Sequence, residues 1–216
     1  MTKIDKIQEN LIEWFSLNKR NYPWRNNSNP YFILIAEIML QRTKADQVIA
    51  SYLSFIKEFP TCLELSKAPI ERIQFHFKNL GLFWKSQKIK QMAIYLSENC
   101  GCKIPSERKE LLDIPGIGDY IAEAILCFAY EQNVIVIDSN IARFISRVFG
   151  IQVKSEGRRD KKIKEKVNIL LYEENPKIFN FALLDFTALI CKPKNPDCKL
   201  CPINNYCNFF QKQMPY

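Results

Sequence analysis

The 216 residues are enough for one large domain or two small lobes, and a hydrophobic fraction of 47% is that of a globular protein. Thirty-one Lys and Arg against 23 Asp and Glu give a net charge of +8, which suits a polyanionic partner but is equally compatible with ordinary solubilising charge. The start, Met1-Thr2-Lys3-Ile4-Asp5, lacks the apolar core of a signal peptide, the longest apolar runs are broken by Glu37 and Glu123, and the single histidine, His76, is too little for a His-based triad or zinc hydrolase site. A soluble, cytoplasmic protein with no membrane segment is expected.

The spacing predicts helices nearly throughout. Ile4, Ile7, Leu11, Ile12 and Phe15 mark one face of a first helix. A turn at Asn26-Asn27-Ser28-Asn29-Pro30 precedes helices over about 31–41 and 44–58, and Pro60 and Pro69 punctuate the next connections. A helix over 85–98 turns Ile89, Met92, Ala93 and Leu96 inward, and a short one starts at Pro105-Ser106 with Ser106 as its cap. The segment Ile114-Pro115-Gly116-Ile117-Gly118 leads into a helix through Tyr130. Val134–Ile137 is strand-like but too short and isolated to imply a sheet. Asp138 opens a helix to about Phe149, residues 158–166 are basic and polar, and the last long helix spans about 177–191. The chain reads as all-α.

Its tail carries Cys191-x6-Cys198-x2-Cys201-x5-Cys207, four soft thiolates in a proline-rich segment that cannot form a regular element. They form a ligand set for zinc or for an iron–sulfur cluster, with two disulfides or four reduced thiols as the metal-free alternative, and spacing alone does not choose between zinc and iron. Cys62, Cys100, Cys102 and Cys127 show no ligand-like grouping, and Cys127 reads as core.

Upstream, Gly116 and Gly118 allow a tight hairpin that hands over to a helix N-terminus, where free N–H groups attract an anion; alone, a Gly-x-Gly is equally an interhelical turn. Asp138 fits a helix cap, which stabilises by about 1 kcal/mol. Glu37 is a lone acid in Ile33-Leu34-Ile35-Ala36-Glu37-Ile38-Met39-Leu40, a helix with so little polar face that the carboxyl is expected to line a cavity, where desolvation raises its pKa.

The run from Leu112 to Ala122, followed by Val136-Ile137-Asp138-Ser139-Asn140-Ile141-Ala142-Arg143, resembles the helix–hairpin–helix DNA glycosylase superfamily. The cysteine spacing is similar to that superfamily's four-iron–four-sulfur loop. Tyr22-Pro23-Trp24-Arg25 and Ala36-Glu37-Ile38-Met39-Leu40-Gln41-Arg42-Thr43 look like the branch that holds adenine glycosylases and G·T mismatch thymine glycosylases. These motifs run from about Leu11 to Cys207.

The resemblance implies two helical lobes flanking a DNA-binding cleft. One is a six-helix lobe of residues 27–133 with the hairpin; the other combines 1–26 with 134–216 and holds one 4Fe-4S cluster on Cys191, Cys198, Cys201 and Cys207. Glu37 then assists departure of the base, and Asp138 stabilises positive charge building on the sugar. Tyr120 shapes the pocket. It stands where strand-cleaving members carry a Schiff-base lysine, so a monofunctional enzyme is expected. Gln41 fills the gap left by the extruded nucleotide, while Arg42, Gly116, Gly118 and Arg143 contact DNA.

Leu80-Gly81-Leu82-Phe83-Trp84-Lys85 departs from the adenine glycosylases' Gly-Tyr-Tyr-x-Arg-Ala, Asp138-Ser139-Asn140 departs from their Asp-Gly-Asn, and the chain ends nine residues after Cys207. The expected substrate is therefore thymine or uracil opposite guanine in double-stranded DNA, acted on by a monomer. Adenine opposite guanine or oxidised guanine, and a non-catalytic DNA-binding module, are the alternatives.

Overall fold

The computed structural model describes residues 1–152 and 157–212, and among them every regular element is helical. The α-helices are α1 (Lys3–Asn18), α2 (Pro30–Leu40), α3 (Ala45–Glu58), α4 (Cys62–Lys67), α5 (Ile70–Lys78), α6 (Ser86–Asn99), α7 (Arg108–Asp113), α8 (Asp119–Phe128), α9 (Ser139–Phe149), α10 (Lys161–Ile169), α11 (Pro176–Leu189) and α12 (Asn208–Gln211). Among the described residues no helix is long and apolar enough to cross a membrane. The chain divides into two compact units, Asn21–Tyr130 and Met1–Arg20 with Glu131–Tyr216.

In the Asn21–Tyr130 unit the central element is α2. Pro30 starts it, and the Asn29 side chain accepts a hydrogen bond from the Tyr31 N–H at 2.9 Å. Its residues from Ile33 to Met39 are all buried, so it must be covered on every side, and α3 and α8 cover it. Residues 21–26, placed by the sequence with the other lobe, belong to this unit. Trp24 stacks on Tyr22 at 4.9 Å and meets the Tyr52 ring edge-on at 5.5 Å, while the Tyr22 hydroxyl bonds Asp46 at 3.1 Å. The short helix expected from Ser106 begins instead at Arg108, with Glu107 in the cap position. The Tyr130 hydroxyl donates to the Ile104 carbonyl and pins the segment just before it.

In the other unit α1 packs along α11, beside α9 and α10. Ile7, Leu11, Phe144, Phe179 and Phe186 are fully buried, and Trp14 meets Phe186 edge-on at 5.2 Å. Asp185 is also fully buried. It accepts the Arg20 backbone N–H at 2.9 Å and the Arg20 Nε–H at 2.6 Å, so the carboxylate does not sit unsatisfied among apolar side chains. Val134–Ile137 pairs with no strand among the described residues. The Asn180 amide does that work: its Oδ1 accepts from the Val136 N–H at 2.8 Å and its Nδ2 donates to the Val134 carbonyl at 2.9 Å.

Candidate active site

Glu37 projects from α2 and is only 5% exposed, and it is absent from the lining of the cavity described below. One turn later α2 ends, with Gln41 half-buried and Arg42 exposed in a left-handed conformation at φ 64°. Ile114–Ile117 forms a tight turn in which Pro115 leads, Gly116 takes φ 89°, and the Ile117 N–H returns to the Ile114 carbonyl at 3.1 Å. Ile114 and Ile117 are buried and anchor the turn, leaving Pro115, Gly116 and Gly118 on the surface. Gly118 caps α8 without a side chain, so no cap oxygen takes up the first-turn N–H groups. Tyr120, in that first turn, is half-buried.

Sequence reasoning missed Lys85. Its side chain is buried, and Nζ donates to the Ile38 carbonyl at 3.1 Å and to Gln41 Oε1 at 2.7 Å. It lines a cavity of about 120 Å³ with Gln41, Trp84, Pro115 and Gly116. A signal was available: positions 85, 89, 92 and 96 share one helix face, and a lysine there is out of place. Burial, and then the charges of Arg42 and Lys88, push its pKa down to about 8. In the unfolded chain this lysine titrates near its ordinary value of 10.5. Below pH 8 both states carry the proton and the folded state bears the cost of the buried charge; between the two values only the unfolded state stays protonated, so stability rises with pH. Relative to Lys85→Met, the wild-type protein should gain about 3 kcal/mol from pH 7.5 to 10.5, read by denaturant titration.

In the other unit Asp138 caps α9. Its Oδ1 accepts from the Asn140 and Ile141 backbone N–H groups at 2.8 and 2.7 Å, and its Oδ2 from Asn140 Nδ2 at 2.8 Å. The chain of contacts continues inward. Asn140 Oδ1 accepts from Arg143 Nη1 at 2.9 Å, and Arg143 Nη2 donates to the carbonyls of Cys191 at 2.8 Å and Thr187 at 3.1 Å. Arg143, expected at a DNA phosphate, is therefore committed within its own unit. The last carbonyls of α11 lack helical donors, and the guanidinium supplies them. Arg147 acts alike: it donates to the carbonyls of Lys192 and Pro193 at 2.7 and 3.1 Å and to Cys191 Sγ at 3.4 Å, with its guanidinium over the Phe209 ring.

Cys191, Cys198, Cys201 and Cys207 line one apolar pocket together with Phe186 and Ile203, with a cavity volume of about 20 Å³. Among the described residues no three His, Cys, Asp or Glu side chains form a group that could hold a metal ion. Burial pushes the Cys201 thiol up to about 12 and raises Cys198, so binding any metal there must expel protons.

Residues 35–169 match the family model described as HhH-GPD superfamily base excision DNA repair protein. A thymine/uracil-DNA glycosylase of Methanothermobacter thermautotrophicus is 31% identical, over 94% of this chain and 92% of its own. An adenine DNA glycosylase of Buchnera aphidicola subsp. Baizongia pistaciae is 32% identical, over 94% of this chain and 58% of its own. The solved structure of a thermostable thymine-DNA glycosylase superposes with a TM-score of 0.90 at 30% identity, covering 97% of each chain. The all-helical architecture, the hairpin and the matched family model together make this chain a member of the HhH-GPD superfamily of base excision DNA repair proteins.

Proposed function

We propose that this DNA glycosylase hydrolyses the N-glycosidic bond of thymine or uracil opposite guanine in double-stranded DNA, as a cytoplasmic monomer and without cleaving the strand. The likeness at a TM-score of 0.90 to a thymine-DNA glycosylase, over 97% of both chains, carries this reading. The extruded nucleotide loses its base in one substitution. Water forms a bond to the sugar C1′ and yields a proton to a carboxylate, the bond from C1′ to the base nitrogen breaks, and positive charge passes through the sugar on the way. Asp138, held by its three N–H contacts, supplies the negative charge that stabilises the sugar. Glu37 gives the departing base a proton, directly or through a water. Tyr120 shapes the base pocket; having no amine, it forms no Schiff base. Arg42 and the hairpin residues Gly116 and Gly118 meet the backbone phosphates, and Gln41 fills the gap.

Cys191, Cys198, Cys201 and Cys207 hold one 4Fe-4S cluster in this reading. The fit is supported by four thiols around one cavity with apolar walls and by the Arg147 N–H on the Cys191 sulfur. When bound, the cluster supplies structural constraint, fixing the loop on α9. Iron and sulfide assays on brown purified protein would support it; a colourless zinc-loaded protein would overturn it.

The adenine glycosylase that matches 94% of this chain favours a second reading, adenine removal. Single-turnover assays on G·T, G·U, G·A and oxidised-G·A duplexes, each with borohydride, decide between them. Release of thymine or uracil without trapped adduct is expected. Release of adenine alone would select the second reading, and tight binding with no release from any duplex would mark a DNA-binding module.

A further inference from the structure

We infer that Lys85 is the positioning residue for Gln41: its ammonium fixes the Gln41 amide with Oε1 inward and Nε2 outward, where it meets the base left unpaired by extrusion. This rests on the proposed function, in which Gln41 fills the gap. Lys85 is 6% exposed and makes no ion pair among the described residues, so its charge is buried without a carboxylate to compensate it. Such a lysine is retained at a cost in stability. The contacts its Nζ makes are to the end of α2: the Ile38 carbonyl at 3.1 Å and Gln41 Oε1 at 2.7 Å, with the Trp84 ring at 5.5 Å.

The chemistry dictates the amide's orientation. An ammonium has donors only, so the group facing it must be the acceptor oxygen, and the amide's NH₂ must point away. Gln41 follows the last residue of α2, and the next residue, Arg42, turns the chain left-handed, so no regular helix holds the Gln41 side chain in place. Lys85 does so from the start of α6, across the cavity they share with Gly116 of the hairpin. A Gln41 pinned in this way enters the duplex already ordered, and it offers a donor pair to acceptor atoms on the estranged base.

The test is a double-mutant cycle on a G·U duplex under single-turnover conditions, with Lys85→Met, the milder Lys85→Gln, Lys85→Arg, Gln41→Ala and the pairwise combination. Lys85→Met and Gln41→Ala should each slow uracil release by about 10-fold. The combined variant should be no slower than Gln41→Ala alone, and Lys85→Arg should recover most of the rate. Melting temperatures should stay at or above that of the wild type for Lys85→Met, which separates lost positioning from lost folding; should it misfold, Lys85→Gln takes its place in the cycle. Losses that multiply to about 100-fold in the combined variant would overturn the proposal, as would a wild-type rate for Lys85→Met. A wild-type rate for Gln41→Ala would instead remove the gap-filling reading, and the positioning role would fall with it.

Discussion

Asp138→Asn should lower the single-turnover rate of base release by about 10³-fold while costing no more than about 1 kcal/mol of stability. The two readouts separate because Asp138 caps α9 and, in the proposed mechanism, also supplies the catalytic charge. As the cap of α9 it accepts two backbone N–H groups, a role asparagine keeps, although an amide NH₂ cannot accept the Asn140 Nδ2 contact now made by Oδ2. In the proposed mechanism its carboxylate faces positive charge that exists only on the way to the transition state, and an amide carries no charge to offset it. Asp138→Ala should lose the same rate and a further ~1 kcal/mol of stability, because the first-turn N–H groups lose their acceptor. If Asp138→Asn kept more than a tenth of the rate, Asp138 would be a cap and nothing more.

Replacing Glu37 with glutamine should cost about 10²- to 10⁴-fold in the same assay, the range for removal of a general acid. The change keeps the shape of a side chain that is 5% exposed in the middle of α2, so packing is preserved. It also removes an ionisable group from an apolar helix, so the melting temperature should hold or rise. A fall in both rate and melting temperature would point to a structural role for the carboxyl. An unchanged rate would show that the base leaves without a proton from Glu37.

Much of this could be read from residue order. The face of α1 followed from three- and four-residue spacing, and α2 was recognisable as a buried helix because it has almost no polar side. The turn at Ile114–Ile117 was legible because Pro and Gly each suit one position of it. What could not be read depends on contacts between distant segments. An arginine on a helix reaches a phosphate or a carbonyl according to what packs over it; Arg143 and Arg147 found the uncapped end of α11 and a proline-rich loop. Lys85 was hidden by the ordinary habit of lysines to be exposed. The placement of residues 21–26 turned on the stacking of Tyr22, Trp24 and Tyr52, which sequence separation conceals.

The pairing of α1 with α11 sets an order of events during synthesis. Asn21–Tyr130 is contiguous, so it can condense as soon as it has emerged. Helix α1 emerges before that unit, yet its partner α11 starts about 160 residues later. At roughly 5–20 residues per second the nascent chain carries the apolar stripe of Ile7, Leu11 and Phe15 uncovered for on the order of ten seconds or more. Over that interval an uncovered apolar stripe is open to non-native association, a hazard that ends only when α11 has been made.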